Sequence, residues 1–201
     1  MSFVHRYIPV EGAERTLLVL HGTGGNEESL LSIAEKIAPD MNLLSPRGKV
    51  LENGMPRFFR RFAEGVFDVE DIQRQAADLA AFVNESASEQ GFDPGLVTAF
   101  GYSNGANIAS SLLLLHPQVL AGAILVRGMV PLVPDPLPDL AGKRVLILNG
   151  LHDPIGPPEE SERLRSLLEK TGAQVELRLS EAGHELTRSD INAASYWLGK
   201  G

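Results

Sequence analysis

Three short segments of this 201-residue chain carry side chains that could do covalent chemistry. Gly101-Tyr102-Ser103-Asn104-Gly105 has the form G-x-S-x-G. A serine hydroxyl is a poor nucleophile at neutral pH and needs a partner base. A sharp turn from a strand into a helix lifts such a serine clear of the backbone, and glycines on both sides relieve crowding. The context fits: residues 96–100 are apolar and strand-like, and residues 106–115 read as a helix too apolar for the surface. Alone the pattern is weak, because a glycine-rich turn with a capping serine gives the same letters.

At the top of an α/β sheet, such a serine is followed in the chain by an acid and then a histidine. Three histidines follow Ser103. His116 ends the serine's helix at the far end and reads as a C-terminal cation. His152, in NGLHDP, is a weak competitor, since its neighbour Asp153 would orient it awkwardly. His184, in EAGHEL, follows the last expected strand and is the expected base. Asp153 directly follows the strand-like RVLILNG. It is the expected acid, holding one nitrogen of His184 and steadying the imidazolium. The plain alternatives are an Asp-Pro turn and a polar loop residue. Three residues in the right order at successive strand ends favour the catalytic reading.

The segment LHGTGGN supplies a third element. Acyl transfer needs fixed N–H donors where the carbonyl oxygen becomes negative. The backbone N–H groups of Thr23 and Asn104 are the expected oxyanion donors. Gly24 and Gly25 let the chain bend close to substrate, and His21 is expected to support the loop. A phosphate-binding loop is the alternative. HGTGGNEE lacks the P-loop lysine and the G-x-G-x-x-G spacing, and Glu27 and Glu28 would repel phosphate.

The remaining sequence must position these segments. Strand-like and helix-like stretches alternate, which predicts a three-layer α/β/α sandwich with a mostly parallel sheet. Strands are expected at residues 3–10 (an edge), 16–20, 41–44, 96–100, 122–126, 144–148 and around Val175, Leu177 and Leu179. Asn26 is expected to cap a helix whose face is Leu30, Ala34, Ile37 and Ala38. Asp68 opens another with face Ile72, Ala76, Leu79, Val83 and Ala87, stopping at Gly91. A further helix has Pro158 in its first turn and ends by Gly172. Thr187 and Asp190 form a capping-box pattern for the last one. Residues 46–67 and the proline-rich 128–142 read as irregular. Within 46–67, the phenylalanines either wall an apolar pocket or belong to the core, with the arginines as a solvated face. Met129 or Val130 could extend the pocket. One domain over residues 1–201 is expected.

Composition narrows the classes further. Hydrophobic residues make up 43% and charged residues 22%, as in a globular protein. With no cysteine, a disulfide, a thiolate zinc site and a cysteine nucleophile are excluded, which fits a cytoplasmic setting. MSFVHRYIPV shows no basic segment followed by an apolar run, so no secretory signal is expected. No stretch is long enough for a membrane span. The net charge of −8 has no basic stripe within it, which argues against nucleic acid as a partner.

LHGTGGNEESLL, GMPRFFRRFAEGVFD, GYSNGANIA, HDPI and AGHEL together resemble the bacterial carboxylesterases of the phospholipase/carboxylesterase family, also described as dienelactone-hydrolase-like. The likeness runs from about residue 17 to about residue 198. It implies a minimal α/β-hydrolase fold without a large lid and an acyl-enzyme mechanism; from the residues themselves no cofactor and no metal site are expected. The resemblance carries the nucleophile to Ser103, the acid to Asp153, the base to His184 and the oxyanion donors to Thr23 and Asn104. True dienelactone hydrolases use a cysteine nucleophile, which this chain lacks. One branch of the family has been linked to hydroquinone-type compounds, and this chain looks similar to it. The expected function is hydrolysis of small acyl or aryl esters, with thioesters a second candidate, by a monomer or homodimer. The rivals are an acyltransferase with the same triad and a non-catalytic small-molecule receptor on the same fold.

Overall fold

The computed structural model describes residues 3–200; Met1, Ser2 and Gly201, part of the expected domain, lie outside the described residues. In chain order the strands are β1 His5–Ile8, β2 Thr16–Leu20, β3 Asn42–Pro46, β4 Val50–Glu52, β5 Met55–Arg57, β6 Arg61–Ala63, β7 Val66–Phe67, β8 Val97–Tyr102, β9 Gly122–Val126, β10 Arg144–Gly150 and β11 Gln174–Ser180. The helices are α1 Leu31–Ile37, α2 Val69–Gln90, α3 Asn104–Leu115, α4 Pro158–Lys170 and α5 Arg188–Leu198. Seven strands form one sheet in the order β1-β3-β2-β8-β9-β10-β11. Only β1 runs antiparallel within it, against β3 at one edge.

The continuous apolar runs explain the layering. Successive side chains of a strand point to opposite faces, so TLLVL supplies two cores at once. Leu18 and Leu20 join Ala99, Leu125, Val145 and Ile147 beneath residues of α2, α3 and α4. Leu17 and Val19 join Phe100, Ile124, Leu146 and Leu148 beneath residues of α1 and α5. The chain thus has the three-layer α/β-hydrolase architecture, with no large lid among the described residues. No helix among them is long and apolar enough to cross a membrane.

The helix ends follow the local chemistry. Asp68 accepts from the Asp71 N–H to open α2, and Gly91, in the left-handed region, closes it. Pro158 stands in the first turn of α4, and Thr187 with Asp190 forms both halves of a capping box on α5. Two expectations need correction. Asn26 does not cap α1: its Oδ1 accepts from the Glu28 N–H in a separate turn, and the helix starts at Leu31. Residues 46–67 are not irregular throughout but form two small hairpins, β4–β5 and β6–β7. Their strands of two or three residues are too short to show a period of two. Asn53-Gly54, both with positive φ, was the local hairpin signal.

Candidate active site

Ser103 stands between the end of β8 and the first residue of α3. Its backbone has φ 54° and ψ −113°, a strained conformation for a residue with a side chain. The strain is held from several sides. The Ser103 N–H donates to the Val126 carbonyl at 2.8 Å, and the Asn107 N–H donates to the Ser103 carbonyl at 3.0 Å. Both flanking glycines are required by space. A Cβ on Gly101 would overlap the Gly105 carbonyl, and one on Gly105 would overlap the Leu20 carbonyl of β2.

The expected partners converge on this hydroxyl. His184 Nε2 lies 2.9 Å from Ser103 Oγ, and His184 Nδ1 lies 2.8 Å from Asp153 Oδ2. A carboxylate can only accept, so Nδ1 carries the hydrogen and Nε2 is left to accept from the serine hydroxyl. The Asp153 side chain is fully buried. Its other oxygen accepts from the N–H groups of Ile155 and Gly156, which fixes the carboxylate plane. His152, one residue away, turns outward and pairs with Glu181. His116 caps the far end of α3, and burial lowers its pKa. It is therefore a poorer helix-end cation than the sequence suggested.

The His184 loop is gripped by groups that sequence reasoning did not single out. The fully buried Arg127, just after β9 and with φ 57°, spends its guanidinium there. Nε donates to the Gly183 carbonyl at 2.9 Å and Nη2 to the Glu185 carbonyl at 2.9 Å. Nη1 and Nη2 also reach the two oxygens of Asp190, at 3.1 and 2.8 Å, and Nη1 donates to the Leu148 carbonyl. The carbonyl of His184 itself accepts from the Tyr102 hydroxyl at 2.9 Å. One signal was available in the sequence: an arginine directly after the buried run GAILV is seldom buried unless paired.

Thr23 and Asn104 line the same cleft as Ser103 and His184. The loop bearing Thr23 is shaped by His21, whose Nδ1 donates to the Gly22 carbonyl while Nε2 accepts from the Gly48 N–H. Burial lowers the His21 pKa, which keeps it neutral and suited to both bonds. Asn104 Oδ1 accepts from the Phe58 N–H at 2.7 Å, tying the serine's helix to the 57–59 segment.

The phenylalanines of 46–67 divide. Phe58 and Phe59 are core, whereas Phe67 lines the cleft and Phe62 is exposed. Arg57 and Arg61 line the cleft too, so they are not a solvated face. Met129 joins them, whereas Val130 faces a different groove. The outer part of the cleft, lined by Thr23, Arg61, Glu64, Tyr102, Ile155 and the Ser103–His184 pair, has a volume of about 280 Å³. Among the described residues, no group of three or more His, Asp or Glu is placed to hold a metal ion.

Comparison with known proteins gives a consistent result. The family described as phospholipase/carboxylesterase matches residues 8–200. MhqD of Bacillus subtilis (strain 168) is 49% identical over 185 residues, 92% of this chain and 92% of that protein. The Bacillus cereus carboxylesterase structure is 49% identical, with a TM-score of 0.91 over 93% of this chain and 88% of its own. A carboxylesterase structure from Mesorhizobium loti is 37% identical, with a TM-score of 0.88 over 94% and 90% of the two chains.

Proposed function

The chain belongs to the phospholipase/carboxylesterase family, and we propose that it is a single-domain serine carboxylesterase that hydrolyses small acyl or aryl esters through an acyl-enzyme. The observation that carries this reading is the unbroken chain of hydrogen-bond distances from Asp153 through His184 to Ser103, 2.8 and 2.9 Å long. Names in the family support it, since two similar structures are of carboxylesterases.

Ser103 Oγ attacks the ester carbonyl carbon as His184 Nε2 takes its proton. Asp153 stabilises the imidazolium without itself becoming protonated. Negative charge then gathers on the former carbonyl oxygen, where the N–H groups of Thr23 and Asn104 hold it. The C–O bond to the alcohol breaks, and Nε2 returns the proton to the leaving oxygen. Water repeats the sequence on the acyl-enzyme, with His184 as base and then acid, and frees the carboxylic acid. Small thioesters present the same carbonyl and fall within the proposed range.

The test uses a short-chain aryl ester and a fluorophosphonate probe on wild type and Ser103→Ala. The variant is expected to lose at least about 10⁴-fold in kcat and all labelling. Retained activity would remove Ser103 as nucleophile. Absence of labelling in folded wild type would end the serine-hydrolase reading.

A further inference from the structure

The cleft beside Ser103 is lined with donors and positive charge that nearby acceptors do not fully answer. Arg57, only 3% exposed at its side chain, reaches Glu52 Oε2 at 3.3 Å. Arg61 reaches both oxygens of the same carboxylate, at 3.0 and 3.1 Å. Two guanidinium charges therefore share one carboxylate. Arg57 also donates to two neutral acceptors, Thr23 Oγ1 at 2.7 Å and the Phe59 carbonyl at 3.2 Å. Asn104 adds a further donor. Its Oδ1 is committed to the Phe58 N–H, and its buried Nδ2 has no acceptor among the described residues.

The other charges of the cleft do not cancel this excess from within hydrogen-bond range. Arg127 is matched by Asp190. Glu64 lines the outer cleft but is exposed, and no ion pair to it is found among the described residues. A buried cation with half a counter-charge is costly unless a ligand completes it. The planar guanidinium fork matches a carboxylate better than any neutral group. Burial and the neighbouring Arg61 charge both pull the Arg57 pKa down, the direction expected where positive charge is crowded.

We propose that the Arg57–Glu52–Arg61 cluster selects esters that themselves carry a carboxylate, binding that anion while the ester carbonyl lies at Ser103. The proposal rests on the serine-esterase reading and adds a substrate class to it. Arg57 and Arg61 are then specificity residues, set on small hairpins beside the strand ends rather than on the sheet. Glu64, at the outer cleft, opposes the anion and limits its affinity.

Two isosteric pairs test this and show which side of the ester bears the charge. The first is 4-acetoxybenzoate against 4-acetoxybenzamide, the second monoethyl succinate against ethyl succinamate. In at least one pair the anion is expected to have about 10-fold or more higher kcat/KM, mainly through KM. Arg61→Gln should remove that preference, Arg61→Lys should keep part of it, and Glu64→Gln should increase it. No anionic preference in either pair overturns the proposal. So does an Arg61→Gln loss of kcat that is equal for charged and neutral esters, because the charge would then serve the reaction's own oxyanion. Hydrolysis of the neutral esters that vanishes in Ser103→Ala upholds the esterase reading whichever way the preference falls. If neither pair is turned over, calorimetric titration of Ser103→Ala protein with succinate decides: binding that Arg61→Gln weakens supports the anion site, and no binding overturns it.

Discussion

Single side chains in this protein are fixed by what both of their ends touch. His21 shows it most plainly, since one ring nitrogen gives a hydrogen to Gly22 and the other takes one from Gly48. A second ring proton would set two donors against each other at Gly48, and burial already lowers the pKa below 6.5. In the unfolded chain the ring titrates near its ordinary value of 6.5. The unfolded state then binds more protons than the folded state in the interval between the two values. Stability from the neutral ring is thus complete above about 6.5 and falls as pH drops through that value toward the folded pKa. Wild type should lose more of its urea midpoint between about pH 7 and pH 5 than His21→Gln, which keeps a donor and an acceptor but does not titrate. Equal losses would mean that His21 takes no part in the acid response.

At the scale of elements, the loop that presents His184 has little regular structure of its own and relies on Arg127 and Tyr102 for its shape. Replacing Arg127 by Gln frees two of the loop's carbonyls and leaves Asp190 buried without its cation. The cost should be about 3–5 kcal/mol in unfolding free energy. Adding Asp190→Asn should return part of it, and kcat of the folded single variant should fall more than KM rises. A variant that loses stability but keeps wild-type kcat would show that the clamp is structural only. This clamp also marks where the sequence stopped being legible. Ser103, Asp153 and His184 could be picked out because each follows a recognisable strand within four residues and sits in a short local motif. Arg127 lies 56 to 63 positions from its loop and helix partners, and no local pattern encodes that meeting. The helix caps at Asp68, Pro158 and Thr187 were readable for the opposite reason, since cap and helix are neighbours in sequence. Asn26 misled because a polar residue ahead of an apolar stripe can serve a turn as well as a helix.

Over the whole molecule, the two cores lie on opposite faces of the sheet, and the site occupies one end of its parallel strands. Core packing and chemistry should therefore separate under mutation. Leu168, fully buried on α4, makes a fair test. Leu168→Ala should lower stability by about 2–5 kcal/mol, while kcat measured well below the new melting temperature stays near wild type. A large fall in kcat without a shift in melting temperature would contradict that separation.

The order of strands has a further consequence, for the timing of synthesis. Ser103, Arg127, Asp153 and His184 follow β8, β9, β10 and β11, four neighbours in the sheet that are also made in that order. The imidazole arrives last, behind an edge strand, and its clamp needs Asp190 from the helix after it. A nascent chain would hold Ser103 long before it held His184. Recovery of hydrolysis during refolding would then report the docking of the final edge rather than the formation of the sheet's centre.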